Sequence, residues 1–480
     1  MAPPRPRLLL VALLIALPCA AAPLAAQAAP AEHAARRAAL LARLPDSAVV
    51  IALGAREPRE DYVLFVQAPA FWYLVGYLEP DANLLMVKRG ARTASTLFVP
   101  PRDAASEEWT GPRPGVERAA ETTGLAARPA GEFRAVLDSA LAGARTLYVV
   151  GDIDQSAILS ADDQLVESVR RAHPRLMVVD AGSIVDSLRA VHSESEFALL
   201  RRAIAITVDA ERAAMRTVAP GAAEYQVQAA IEQVFRASGA ERPGFATIVG
   251  SGPNATSLHH LAGDRVMRSG DLVVMDIGAS WRGYTADVTR TVPVSGTFTP
   301  EQAALYQVVR DAQAAAERAA VPGGDPRAVD DAANLALAAG LARLGLIESA
   351  DAVYDPPHGA CHHRSERGCL QLSIYYMHAL SHGIGLEVHD PDPWEFAPHR
   401  LVAGSAFTIE PGLYVRANAL DLLPDTPRNR AFIAHVRAAF ARYQDLGVRI
   451  EDDYFVTAAG VEWVSRAPRE LTEVERAMAR

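Results

Sequence analysis

Four acidic residues stand where the surrounding sequence should exclude charge. Asp276 ends the apolar run Leu272-Val-Val-Met, and Asp287 lies in Tyr284-Thr-Ala-Asp287-Val-Thr-Arg290, with Trp281-Arg282-Gly283 reading as the turn between them. Glu410 closes Thr408-Ile409-Glu410 just before Pro411-Gly412, and Glu451 sits within Val448-Arg449-Ile450-Glu451-Asp452. Carboxylates in apolar strands are costly unless they are paired or bound to a cation. A hairpin aims Asp276 and Asp287 at one point, because side chains on one face recur every second residue. For those two alone, a polar strand edge with surface carboxylates is an equally good reading. The segment Ser381-His382-Gly-Ile-Gly-Leu-Glu-Val-His389-Asp390 adds two histidines among glycines that permit close backbone approach. One such His or Glu alone is usually structural; five together point to a metal centre made of Asp276, Asp287, His382, Glu410 and Glu451.

Charge arithmetic sharpens that expectation. Four carboxylates and a neutral imidazole are balanced by two divalent cations, and without cations some of the carboxylates must protonate. Oxygen-rich ligation with one imidazole suits Mn²⁺ and tolerates Co²⁺ or Zn²⁺. The chain has no HExxH and no CxxC pair; His378 and His382 are four apart, but Ala-Leu-Ser between them offers no general-base Glu.

The elements that must carry these residues read as an α/β domain followed by an α+β domain. Up to about residue 181, the strand-like runs Ser47 to Leu53, Asn83 to Val87, Ser95 to Val99, Thr146 to Val150 and Leu176 to Val179 alternate with helical stretches such as 133–142 and 161–172. Helices at about 196–218 and 223–238 follow, then strands near 246–249, 272–279 and 285–293. Two more helices, 300–320 and 326–344, precede a second strand-rich region reaching residue 458, the outline of an internal duplication. The domains expected are 30–188 and 196–470, with inserted stretches at 348–372 and 416–446.

At 480 residues the chain exceeds one ordinary core, and half of it is hydrophobic with 22% charged, a globular composition. The net charge of −10, with signs mixed along the chain, leaves no basic stripe for nucleic acid. Arg5 and Arg7 precede the apolar run Leu8 to Leu17 and the small residues around Ala26-Gln27-Ala28, which predicts a signal peptide over 1–28, with an uncleaved anchor as the alternative. The expectation is an exported protein, periplasmic or extracellular, without a stable membrane span after signal removal. Export makes a Cys361–Cys369 disulfide plausible, against two free thiols or adventitious metal binding with the neighbouring histidines.

The order Asp-x10-Asp, then His, Glu and Glu, resembles the pita-bread metallopeptidases, a group comprising Xaa-Pro aminopeptidase, prolidase and methionine aminopeptidase. The resemblance is strongest to the Xaa-Pro aminopeptidases (aminopeptidase P). It runs through Ile248 to His259, Met275-Asp276-Ile-Gly-Ala, Tyr376-Met-His378-Ala-Leu-Ser-His382, Leu386-Glu-Val-His389-Asp390, Ile409-Glu410-Pro-Gly-Leu-Tyr414 and Val448 to Asp452. In the first domain, Phe71 to Asp81 and Trp109-Thr-Gly resemble a creatinase-like N-terminal domain. The resemblance implies that Asp276 chelates one metal, His382 and Glu410 the other, and that Asp287 and Glu451 bridge both. It further implies attack by a metal-bridging hydroxide, with Glu410 as proton shuttle, His259, His378 and His389 lining the substrate site, and Arg449 orienting the metal-binding carboxylates. The implied reaction releases the N-terminal residue from peptides with proline in the second position. Prolidase is the competing reading and a non-catalytic peptide-binding module of the same fold a remoter one, while creatinase lacks the metal ligands found intact here. A tryptophan matching Trp109 reaches a neighbouring subunit's site in the resembling enzymes, implying a homodimer or homotetramer. The two inserted stretches depart from the family pattern and are expected to rim the pocket.

Overall fold

A computed structural model describes residues 29–60, 62–153, 159–357, 359 and 361–479; the signal segment expected at 1–28 lies outside them. The first domain is built on one six-stranded mixed sheet. Its spatial order is Ala126–Pro129, Arg92–Val99, Asn83–Arg89, Val49–Leu53, Thr146–Val150 and Met177–Asp180. Val49–Leu53 runs antiparallel to Asn83–Arg89 and parallel to Thr146–Val150, and it is buried along its whole length, as its unbroken Val-Val-Ile-Ala-Leu run requires. Helix Gly182–Arg189 follows the last strand and ends beside the second domain.

The second domain begins with helix Glu194–Thr217, whose start is fixed by a capping box: Ser193 Oγ accepts from the Glu196 N–H and the Glu196 carboxylate accepts from the Ser193 N–H. Thr299 starts helix Pro300–Ala319 with a second capping box and the Asp325 side chain caps helix Pro326–Leu344, each with proline in the first turn. The inner faces of these helices, with Leu305, Val309 and Leu337, cover strands through Val273 and Met275 in one apolar core. Burying each such side chain contributes about 1.5–3 kcal/mol.

Two interrupted antiparallel ladders lie beneath the helices. Leu272–Ile277 pairs with Val288–Pro293, and beyond a break the hairpin resumes with Ser280 opposite Thr285. The break falls at Gly278 and Asp287, so Asp287 does not continue the Val288–Pro293 strand as the sequence suggests but sits in the gap. Only glycine fits at 278, since a Cβ there would lie 1.8 Å from the Ala286 carbonyl oxygen. The second ladder pairs Ala406–Ile409 with Asp452–Thr457, breaks, and resumes with Gly412–Tyr414 against Gly447–Arg449. Its register places Glu410 and Glu451 opposite each other at the break. Each half of the domain therefore opens its ladder where its acidic residues stand. Among the described residues no helix is long and apolar enough to cross a membrane.

Candidate metal centre

The two ladder breaks face one cavity of about 610 Å³, whose wall includes all five expected metal-ligating residues. The His259, His378, His389 and Arg449 side chains belong to the same wall. His382 Nε2 lies 3.5 Å from Asp287, 3.4 Å from Glu410 and 3.7 Å from Glu451. One ligand atom each from Asp287, His382 and Glu451 falls within 4.8 Å of the others, a spacing that one cation can span.

Backbone contacts hold these groups in place. The His382 carbonyl accepts from the Thr408 N–H at 2.9 Å, and the Glu410 N–H donates to the Leu380 carbonyl at 2.8 Å, so the histidine segment lies against the strand that delivers Glu410. The Glu451 N–H donates to the Thr289 carbonyl at 3.1 Å, and Thr289 Oγ1 donates to the Glu451 carboxylate at 2.6 Å, joining the two ladders. Arg449 Nη2 donates to Asp276 Oδ2, its Nε donates to Thr289 Oγ1 at 3.1 Å, and its Nη1 to the Tyr414 hydroxyl at 3.0 Å. One guanidinium thus ties Asp276 to both ladders. His378 sits between Tyr414, whose hydroxyl is 2.9 Å from Nε2, and Glu410, 3.4 Å from Nδ1. Gly412 makes room for that pair, since a Cβ there would lie 2.5 Å from the Tyr414 hydroxyl oxygen.

Electrostatics show why these side chains favour a cation among them. Burial, then Glu451 and Asp276, push the Asp287 carboxyl well above the usual carboxylate range. Burial and Glu451 do the same to Glu410. Burial alone would lower the His382 imidazole, yet hydrogen bonding to Glu451 and the Glu410 and Glu451 charges hold it up to about 9. Burial pushes His378 down to about 3, keeping it a neutral imidazole. Asp276 Oδ1 and Asp287 Oδ1 are buried with no hydrogen-bond partner, a costly state for carboxylate oxygens that a cation relieves. The donor set of oxygens with one imidazole fits divalent cations of the Mn²⁺, Co²⁺ or Zn²⁺ kind.

Some participants were not singled out from sequence. Tyr414 and Thr289 have no local signal beyond lying within two to four residues of an acidic one. Asp453 is buried beside Asp287, receives its N–H at 3.3 Å, and is pushed well up by burial and Glu451. His260, the neighbour of His259, pairs at 2.9 Å with Glu224 away from the cavity. Neither inserted stretch reaches the metal cavity through its described residues. The 348–372 stretch contains the Cys361–Cys369 disulfide, and its His362 and His363 line a neighbouring cavity of about 860 Å³ that shares His378, Ser381 and Asp392 with the first. Residues 416–418 and 445 line a further cavity, with His362 and Leu258. Trp109 stands 81% exposed on helix Ala104–Thr110.

Comparison with known proteins places this arrangement. Residues 198–458 match the model of metallopeptidase family M24, and residues 33–149 match that of the aminopeptidase P N-terminal domain. The Xaa-Pro aminopeptidase of Haemophilus influenzae is 31% identical over 417 residues, covering 86% of this chain and 88% of the relative. That of Escherichia coli is 32% identical over 438 residues, covering 89% and 92%. Among solved structures, proline aminopeptidase P II from Yersinia pestis superposes with a TM-score of 0.78 at 30% identity, covering 94% of this chain and 99% of that one. Aminopeptidase P from E. coli with the inhibitor Pro-Leu gives 0.77 at 29%, with the same coverage. With its carboxylates and histidine gathered at two opened ladders, the chain belongs to metallopeptidase family M24 and carries an aminopeptidase P-type N-terminal domain.

Proposed function

We propose that this protein is an Xaa-Pro aminopeptidase that releases the N-terminal residue from peptides with proline in the second position. The observation carrying it is the convergence of Asp276, Asp287, His382, Glu410 and Glu451 on one cavity, with buried carboxylate oxygens left unpaired. The five residues would hold two divalent cations, most simply Mn²⁺, which when bound would supply Lewis acidity toward the scissile carbonyl and lower the pKa of a bound water. Asp287 and Glu451 would be shared between the cations, with Asp276 on one side and His382 and Glu410 on the other. Arg449 keeps Asp276 aimed into the cavity and leaves its second oxygen free.

The bond before proline is a tertiary amide with no N–H and a fixed φ. A peptidase that grips the chain through that N–H handles it poorly, whereas this cavity presents histidines around the position of the ring. Glu410 accepts the proton of the attacking water and hands it to the departing proline nitrogen. His389 and His259 donate to the oxygen that gains charge, and neutral His378 lines the proline subsite. The same reading makes 30–188 and 196–470 the two domains, a division supported by the first sheet ending at Asp180 and the long helix starting at Glu194. It also gives the protein a signal peptide, a place outside the cytoplasm and a homodimeric or homotetrameric state, for which exposed Trp109 is the supporting residue.

The test is steady-state cleavage of Xaa-Pro dipeptides and Xaa-Pro-Yaa tripeptides by chelator-stripped enzyme to which Mn²⁺, Co²⁺ or Zn²⁺ is returned. Tripeptides turned over at least as efficiently as dipeptides support the aminopeptidase. Turnover of dipeptides alone makes it a prolidase, and no turnover with any metal removes the enzymatic reading.

A further inference from the structure

We propose that Arg189, at the end of a first-domain helix, is the positioning residue that sets the loop carrying His389 in the catalytic cavity. Arg189 closes helix Gly182–Arg189 and is buried. Its Nη2 donates to Asp390 Oδ1 and, at 2.6 Å, to Glu387 Oε2, and its Nη1 lies 3.7 Å from Asp186. Asp390 directly follows His389, and Glu387 precedes it by two residues, so one guanidinium grips the loop on both sides of the histidine. Asp390 is itself buried and accepts the Glu387 N–H at 3.1 Å, closing a tight turn around His389. The Asp390 N–H donates at 3.0 Å to the carbonyl of Gly383, the residue after His382.

The loop is shaped around this cluster. A Cβ on Gly385 would lie 2.4 Å from Asp390 Oδ2 and 2.9 Å from His192 Nε2, so glycine is what admits the carboxylate. Among the described residues His389 makes no side-chain hydrogen bond; its ring meets His382 at 4.3 Å between centroids. Its place therefore follows from its backbone, and the backbone follows from Asp390 and Glu387. Arg189 is the guanidinium paired with Asp390 among the described residues, and without it the buried carboxylate must move toward water or take up a proton. Either response relaxes the turn that presents His389. Asp186 and Glu387 also line the cavity wall, so the first domain reaches the edge of the site through this cluster.

The inference rests on the reading above in which His389 acts on the substrate. The experiment measures kcat, KM, metal content and thermal melting for Arg189→Ala, Arg189→Lys, His389→Ala and the Arg189→Ala/His389→Ala double variant, with an Xaa-Pro-Yaa tripeptide. Expected for Arg189→Ala is a fall in kcat of about 10–100-fold with metal content unchanged, partly restored by lysine. In the His389→Ala background the same change should cost less than about threefold, because the group it positions is already gone. If Arg189→Ala does not fold, Asp390→Asn, which keeps the side chain's shape, is measured in both backgrounds with the same expectation. An unchanged kcat, a loss that multiplies fully onto His389→Ala, or a loss that tracks metal content overturns the positioning role. Unchanged kcat in His389→Ala itself removes the reading of His389, and the inference with it.

Discussion

Replacing Asp287 by asparagine separates the two things that its carboxylate does. On the proposed ligation it is a metal ligand; in the metal-free protein it is a buried carboxyl among others. Ligand atoms of Asp287 and Glu451 lie within 4.8 Å of each other, which at an effective dielectric of 20 corresponds to a repulsion of about 3.5 kcal/mol if both are charged. Burial adds to that cost, and both effects push the Asp287 carboxyl up. Asp287→Asn should therefore leave the chelator-treated protein at least as stable as the chelator-treated parent, by up to a few kcal/mol at pH 8 and by less at pH 5, nearer the range in which the unfolded chain also holds the proton. On the proposed ligation the same substitution removes a ligand shared by both cations. Several kcal/mol of transition-state stabilisation go with them, or about 10³-fold or more in kcat. The assays are metal analysis after gel filtration, turnover of an Xaa-Pro-Yaa tripeptide, and urea unfolding with and without chelator at both pH values. A variant that keeps both metals and its kcat would refute the ligand assignment. A chelator-treated variant less stable than the parent at pH 8 would refute the electrostatic argument.

Other consequences can be measured alongside it. Arg290 is fully buried and donates to Asp452 and to the carbonyls of Thr289, Glu451, Ala467 and Pro468; Arg290→Ala should destabilise by about 3–5 kcal/mol in urea unfolding, because it removes one of the two guanidiniums on buried Asp452, Arg469 being the other, and strips four carbonyls of that donor. The Cys361–Cys369 bridge closes a loop with a sequence separation of 8; Cys361→Ser/Cys369→Ser should cost about 2.5 kcal/mol of stability, and a null effect on unfolding would show that the loop is already held by its strands. The chelator-treated protein should melt lower as pH rises from about 5 to 9. Its Asp287 and Glu410 carboxyls hold protons that the unfolded chain releases near pH 4, and the stability due to His382 is present below about 6.5 and lost as pH passes about 9. With metal bound, cations replace those protons and the slope should vanish; an equal slope with and without metal would show that these groups do not control it.

Much of this molecule is written locally. Serine, threonine and aspartate caps followed by acidic residues or proline fix the starts of the long helices at Ser193, Thr299 and Asp325 within a residue or two, because the signals that begin a helix act over three or four positions. The five residues of the candidate metal centre stand out in the sequence for a related reason: charge inside an apolar strand contradicts its surroundings, and such a contradiction needs only the neighbouring sequence to be seen. Register across strands is different, since it depends on residues that are not neighbours in the sequence. Only the folded chain puts Glu410 opposite Glu451, sets Asp287 in a gap facing Gly278 instead of within a strand, and brings Thr289 and Tyr414 to the Arg449 guanidinium. The inserted stretches were read as the rim of the pocket, but their described residues line neighbouring cavities, because where a loop lands is set by the surface it packs on. Arg189 is the plainest case. Nothing in Asp186-Ser-Leu-Arg189-Ala distinguishes that arginine from any other at a helix end, and only the packing of the first domain against the second carries its charge to Asp390, 201 residues further along the chain.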